Sequence, residues 1–308
     1  MSKVMVLGAG GWLGRTVADR FRSSGRDVIE IDAKLPPGSE GVQADIRDLG
    51  KISPHFKNCE IVVNCCGAQH PKRARDLYEI NSIAPQEIYK ACGARVFVHI
   101  SSVMAYGENP ANAFALDESS EERPITPYGK SKLAGDAALL GQINKTKLII
   151  LRPGVFYGSS PSNNLIEFLA KLKSSPMPIF SKSGMLRTYV DIQKVVDAVV
   201  LSEDRGTSGS VYLIGDTQPL STKRFYEVLA EGMKCTPKIV RIPRMLSRLS
   251  EFTALKASDA GFHLRICNII GEFGRHIHFS SRRAATELGF DAHASSEPGL
   301  REMARAAG

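Results

Sequence analysis

Tyr128 and Lys132 stand about one helical turn apart in the string TPYGKSK, and that pairing carries a definite chemistry. A tyrosine phenol titrates at about 10 and is a poor proton shuttle at neutral pH. An ammonium fixed beside it stabilises the phenolate, so that a proton can pass to or from a substrate oxygen. The spacing places both side chains on one face of a helix. Thr126 suits its N-cap and Pro127 its first position, which puts Tyr128 at the helix mouth. Ser102, in HISSVMAYG, falls at the end of an expected strand, where a hydroxyl can hold the substrate oxygen beside the phenol. These three residues are the candidate catalytic set, and their chemistry is interconversion of a secondary alcohol and a ketone with a nicotinamide carrying the hydride.

A nicotinamide dinucleotide needs a phosphate cradle, and the N-terminal string GAGGWLG supplies one. Gly8 permits a sharp turn after a strand, Gly11 lets backbone approach the pyrophosphate, and Gly14 allows close packing of helix on strand. Trp12 and Leu13 open the helix, so their N–H groups and its positive dipole end face the phosphates. Asp32 ends the second strand, eighteen residues after Gly14, where a carboxylate binds the ribose hydroxyls and repels a 2′-phosphate. NAD is therefore expected over NADP, although Arg15 and Lys34 lie close in sequence. Asp45 and Ile46 fall at the expected end of the third strand, by the adenine edge. A helix N-cap is the alternative role for Asp45. Cys66 and Gly67 end the fourth strand and leave room for the cofactor.

The elements that must position these residues alternate along the chain. Strands are expected at Lys3–Leu7, Asp27–Asp32, Ile61–Cys65, Val96–Ser101 and Lys147–Arg152. Helices are expected at Leu13–Arg22, Leu77–Ala91 and Tyr128–Leu140. Strands separated by helices imply parallel β-α-β units, hence a Rossmann-type doubly wound α/β sheet with its ligands at the strand carboxyl ends. The division is a cofactor-binding core over residues 1–158 and a smaller substrate lobe over 159–308, interleaved with the last core elements. That lobe holds helices at Asn164–Leu172, Asp191–Leu201 and Thr222–Met233 and a strand at Ser210–Ile214. Its stretch Pro243–Ala257 carries Met245, Leu246, Leu249, Phe252 and Leu255 near helical spacing. Such a stripe is expected to pack on the body or cap the substrate, with contact to a membrane surface as the alternative.

Among the 308 residues, 43% are hydrophobic and 23% charged, enough to build a real core. No apolar run is long enough to span a membrane, and the N-terminus has no signal-peptide layout, so a cytoplasmic protein is expected. The formal charge of +8 is spread along the chain without a basic block, which favours an anionic cofactor over nucleic acid. The six cysteines form no CxxC pair and read as reduced thiols. His276 and His278 alternate on an apparent strand and read as structural, and His70 is a candidate for the substrate side. With no carboxylate or cysteine partner at a recognisable spacing, no metal is expected.

Read together, the motifs resemble the extended short-chain dehydrogenases/reductases of the NAD-dependent epimerase/dehydratase superfamily over nearly the whole chain. GAGGWLG resembles the family's GxxGxxG, SSVMAYG its serine-bearing strand end and PYGKSK its YxxxK. LRPGVFYG and RTYVDIQKVVDA resemble two later family segments. The resemblance implies that Ser102 positions substrate, Tyr128 is the acid/base, and Lys132 assists it and binds the nicotinamide ribose. It also implies that Asn81 in YEINS and Pro153 serve the cofactor, with Val103, Tyr157 and Arg187 on the substrate side. A homodimer formed through helices Leu77–Ala91 and Tyr128–Leu140 is a further implication.

Three functions follow. The tail SGSVYLIGDTQPLSTKRFYEVLAEGM is similar to that of 3β-hydroxysteroid dehydrogenase-like enzymes, so a hydrophobic alicyclic or sterol-like small molecule is the leading substrate. The alternative is a sugar-nucleotide epimerase, dehydratase or reductase, in which an arginine placed like Arg187 grips the diphosphate; an ion pair is its other reading. The asparagine that such epimerases carry after the sixth strand is absent from RPGVFYG. A third reading, a dinucleotide-binding sensor without turnover, leaves the intact Ser102, Tyr128 and Lys132 unexplained.

Overall fold

The computed structural model describes residues 3–71, 73–109, 115–160, 162–181, 184–262, 264, 267, 270 and 273–307. Seven parallel strands form its central sheet: β1 Lys3–Leu7, β2 Asp27–Asp32, β3 Val42–Gln43, β4 Cys59–Asn64, β5 Val96–Ile100, β6 Lys147–Pro153 and β7 Ser210–Ile214. Their order is β7-β6-β5-β4-β1-β2-β3. The central strands β1, β4, β5 and β6 are buried on both faces and accordingly read as apolar runs such as VMVL and LIIL, whereas the edge strands β2 and β3 are only half-buried. Alternation within each run decides which face a residue serves. Val4, Val6, Val96, Val98, Ile149 and Leu151 pack on one side beneath α1 (Trp12–Ser23). Met5, Leu7, Phe97, Leu148 and Ile150 pack on the other beneath α2 (Ala84–Cys92) and α3 (Pro127–Leu140).

The connections from β1 run to β2 on one flank, and β4 lies on the other. The strand order therefore reverses at β1, and a crevice opens beyond the carboxyl ends of β1 and β4. Gly8–Gly14 and Cys65–Gly67 border that crevice.

Boundaries shift slightly from expectation. β3 ends at Gln43, so Asp45 and Ile46 lie in the loop beyond it; Asp48, not Asp45, caps the next helical turn. β4 ends at Asn64 and β5 at Ile100, leaving Cys66, Gly67 and Ser102 just past the strands. The helix expected at Leu77–Ala91 is interrupted by a π-turn over Glu79–Ile83 that carries Asn81.

Beyond the core, α4 (Asn163–Ser174), α6 (Thr222–Gly232) and α9 (Glu297–Ala307) share a separate apolar cluster with Met177 and Ile179. The chain returns to the sheet between them, through α5 (Ile192–Asp204) and β7. The helix α7 (Arg244–Asp259) lies at the surface with Met245, Leu249 and Phe252 turned to solvent, contrary to the expectation that this stripe packs inward. The following α8 (Arg282–Leu288) returns to the core. Most of the apolar segment 263–272 lies outside the described residues. Among the described residues, no helix is long and apolar enough to cross a membrane.

Candidate active site

The glycine loop meets its geometric requirements at two positions. Gly8 has φ +82, and a Cβ there would sit 2.8 Å from the Cys66 amide nitrogen. Gly14 packs against the Gly8 carbonyl, leaving no space for a Cβ. Gly11 is the N-cap of α1 and provides no side-chain hydrogen bond, so the first-turn N–H groups stay available to an anion. Trp12 and Leu13 start that turn. Asp32 is fixed beside the loop: one carboxylate oxygen accepts from Gly10 N at 3.0 Å, the other from Lys34 N at 2.8 Å. Arg15 and Lys34 both remain exposed. Asp45 accepts hydrogen bonds from the Arg47 guanidinium at 2.9 and 2.7 Å, which holds its carboxyl below the usual range. Ile46 is buried behind it.

A dinucleotide fits this cradle. Gly67 supplies the clearest test, because a Cβ there would lie 3.1 Å from Lys132 Nζ and fill the space in front of the lysine. Asn81 holds the same loop. Its side chain accepts from Ala68 N at 2.9 Å and donates to Ala68 O at 2.8 Å and Ser131 Oγ at 2.9 Å. Both of its amide hydrogens and its oxygen are engaged by the scaffold, so Asn81 holds the loop that carries Gly67 in place.

Tyr128 sits in the first turn of α3, behind the Thr126 cap that accepts from Gly129 N at 3.0 Å. Lys132 follows, almost wholly buried, with Nζ donating to Ile100 O at 2.9 Å. Burial pushes its ammonium down to about 8, a fall that the Asp136 carboxylate limits. Ser102 caps a 3₁₀ turn by accepting from Met104 N at 3.2 Å. A cavity of about 220 Å³ is lined by Ser102, Val103, Tyr128, Pro153 and Arg187, with Gln69 and Ile277 closing it.

Arg187 belongs to a two-residue strand, Leu186–Arg187, that pairs antiparallel with Leu220–Ser221. Its guanidinium lies 5.3 Å from the centre of the Phe273 ring. A second cavity, of about 610 Å³, shares Gln69, Val155 and Phe156 with the first and extends past His70 to Phe168, Phe180 and Tyr226. His70 thus lies on the outer cavity wall, away from the catalytic group.

Tyr157 does not line either cavity. It is buried, and its hydroxyl donates to Asp216 Oδ2 at 2.8 Å, an oxygen also bound by Ser296 Oγ at 2.6 Å. Val155 and Phe156, not Tyr157, line the cavities. The Tyr157 side chain is instead tied through Asp216 to the start of α9. His276 accepts from Leu186 N at 3.1 Å, and the segment around it forms isolated bridges, Arg187 with Ile277 and Leu116 with Phe279, instead of a full strand.

Behind Lys132 lies a buried group that the sequence motifs do not single out. Asp136 accepts from Ser101 Oγ and Arg152 Nε, each at 2.8 Å. Arg152 also reaches Glu122 at 2.6 Å and lies over the Tyr106 ring at 4.7 Å. His99, held uncharged by burial, meets Asn64 at 3.0 Å. The signal was present as charge in apolar surroundings: Arg152 inside LIILRP, and Asp136 one turn beyond Lys132.

The arrangement is suited to moving a proton: the Ser102 hydroxyl and the Tyr128 phenol line one cavity, and the buried Lys132 stands one turn beyond Tyr128 on the same helix. Bound NAD would supply hydride acceptance or donation.

Comparison with known proteins places this geometry in a lineage. The sequence profile of the NAD dependent epimerase/dehydratase family matches residues 4–215. The dTDP-6-deoxy-L-talose 4-dehydrogenase (NAD(P)(+)) of Kitasatospora kifunensis is 23% identical, over 79% of this chain and 82% of its own. Short-chain dehydrogenase/reductase family 42E member 1 of Danio rerio is 22% identical, over 93% and 84%. The UDP-glucose 4-epimerase of Thermotoga maritima, solved with UDP-glucose, has a TM-score of 0.80 at 20% identity, covering 99% of this chain and 98% of the other. MoeE5, solved with UDP-glucuronic acid and NAD, has a TM-score of 0.78 at 23% identity with the same coverage. The chain therefore belongs to the NAD dependent epimerase/dehydratase family and is an NAD-dependent enzyme of the extended short-chain dehydrogenase/reductase type.

Proposed function

We propose that the protein is an NAD-dependent oxidoreductase, epimerase or dehydratase acting on a sugar nucleotide. The observation that carries this reading is the placement of Arg187, buried to 7% exposure in the same cavity as Ser102 and Tyr128. A guanidinium held there, a short reach from the reacting oxygen, is suited to an anionic group attached to the carbon skeleton being oxidised. The outer cavity, walled by Phe168, Phe180 and Tyr226, offers flat apolar surfaces for a base. Relatives named for dTDP-sugar and UDP-sugar chemistry support the same class. The sugar hydroxyl would lose its proton to the Tyr128 phenolate and its carbon-bound hydride to the nicotinamide.

The sterol-like substrate expected from the tail rests on the same apolar walls, which would also cover a hydrophobic ring system. It takes second place because relatives named for dTDP-sugar and UDP-sugar chemistry support the sugar-nucleotide class.

The discriminating experiment is a thermal-shift panel of NAD⁺, NADP⁺, UDP, dTDP, their sugar conjugates and sterols. A ligand at about a hundred times its Kd stabilises by about 2.7 kcal/mol. Stabilisation by a nucleoside diphosphate supports the proposal; stabilisation by sterols with no response to UDP or dTDP overturns it.

A further inference from the structure

The helix α7 is inverted relative to an ordinary surface helix. At about 100° per residue, Met245, Leu249 and Phe252 fall on one stripe. These side chains are 75%, 59% and 59% exposed, whereas the buried face is Ser247, Glu251 and Ala254. The inner face is held by polarity: Glu251 pairs with the buried Arg275, which also reaches Glu108. Just beyond the helix, Phe262 is 68% exposed, and Val240 lies bare ahead of it. Single exposed apolar residues mean little, but a contiguous ridge with large side chains marks a binding surface.

The charges around the ridge identify what it binds. Arg248 and Lys256 stand exposed on the helix itself, and Lys238 and Arg241 are exposed in the segment that leads into it. Lys256 Nζ lies 5.8 Å from the centre of the Phe252 ring. Arg248 bonds Glu108 at 3.0 Å yet keeps half of its side chain in solvent. Within α7, Asp259 at the C-terminal end is the exposed acid among the described residues.

We propose that the outer face of α7 docks on an anionic lipid bilayer, with Met245, Leu249, Phe252 and Phe262 entering the headgroup–acyl boundary and the flanking basic side chains on lipid phosphates. Apolar residues outward with lysine and arginine along the rim is the composition of an interfacial helix, which enters a bilayer by only about 5–10 Å. A second copy of this chain fits the face less well. A two-fold contact centred on the ridge would gather Arg248 and Lys256 of both copies in one interface, where the acids are Asp259 and a Glu108 already shared among Arg244, Arg248 and Arg275.

The test is co-sedimentation of the full-length protein with vesicles of phosphatidylcholine alone and of phosphatidylcholine mixed with phosphatidylglycerol. The expected result is partitioning onto the anionic vesicles. The triple substitution Met245→Gln, Leu249→Gln, Phe252→Gln should weaken it by at least about tenfold. Arg248→Gln with Lys256→Gln should weaken it by about tenfold or more and flatten its salt dependence. Because these residues are exposed, unchanged circular dichroism and Tm in the variants show that the fold is kept. Failure of the wild type to bind anionic vesicles overturns the proposal. So does binding that ignores the triple substitution, which would be plain adsorption of a basic protein. A concentration-dependent dimer abolished by the triple substitution, without vesicle binding, would assign the face to a second copy instead.

Discussion

The Lys132 ammonium donates to the carbonyl of Ile100 at 2.9 Å, which ties the helix carrying Tyr128 to the strand end carrying Ser102. One buried cation thus fixes the distance between the two elements that carry the candidate acid/base and the candidate serine.

That cation costs stability. Burial lowers its pKa from 10.5 to about 8. Below pH 8 it is charged in both folded and unfolded chains, and the fold carries the whole desolvation penalty. Between about 8 and 10.5 the folded state gives up its proton first, so the penalty fades as pH rises. Lys132→Met should therefore stabilise the cofactor-free protein at pH 7 by on the order of 2 kcal/mol, after loss of one hydrogen bond. The gain should shrink towards pH 10. Denaturant titrations across this pH range check the sign. Wild-type kcat/KM should fall as pH rises through about 8, where the ammonium is lost.

Tyr128→Phe removes the proton donor and leaves the glycine cradle untouched. Turnover should drop by about 10²–10⁴ while NAD affinity stays within a few-fold. Steady-state rates and a direct NAD titration of the same variant check both halves. Near-normal turnover would show that the proton travels elsewhere.

Asp32 bears on the choice between NAD and NADP. Its carboxylate is pinned by two backbone N–H groups beside the glycine loop, where a 2′-phosphate would meet a fixed negative charge. NAD⁺ should bind more tightly than NADP⁺, and Asp32→Ala should narrow the gap. Equal wild-type affinities, measured by calorimetry, would mean that the exposed Arg15 and Lys34 outweigh Asp32.

Arg187→Ala should raise the KM for a nucleotide-linked substrate and weaken binding of the free diphosphate by on the order of 2–5 kcal/mol. A neutral substrate should hardly notice the change. Parallel KM measurements and UDP or dTDP titrations separate the two cases.

Tyr157→Phe should lower stability by about 1–3 kcal/mol, because the buried Asp216 loses one of its two hydroxyl donors. KM and kcat should stay close to wild type. A large KM change without a stability change would restore Tyr157 to the substrate site.

Local spacing made part of this site legible. The glycines, Asp32, Ser102, Tyr128 and Lys132 each sit at a junction of strand and loop or loop and helix, where the neighbouring residues predict the backbone. The tether of Tyr157 depends on Asp216, 59 residues further on, which its own three-residue strand does not announce. The stripe on α7 was read correctly as a stripe, but periodicity carries no information about which side faces the body. Here ionic contacts of Glu251 with Arg275, and of Arg244 and Arg248 with Glu108, accompany a buried face of Ser247 and Ala254. Gln69, Phe273 and Ile277 reach the cavities from distant segments, and no pattern within those segments announces it.

The bridge between Arg187 and Ile277 also sets an order of events during synthesis. Leu186 bonds a histidine 90 residues further on, and Asn109 bonds His278 across a separation of 169. The first six strands can pair as soon as they emerge, yet one wall of the reaction chamber consists of chain that the ribosome adds near the end. A chain truncated before residue 277 would lack both that wall and the core residues Ala284, Leu288 and Phe290, so the chamber and the sheet under α1 are completed together only near the end of synthesis.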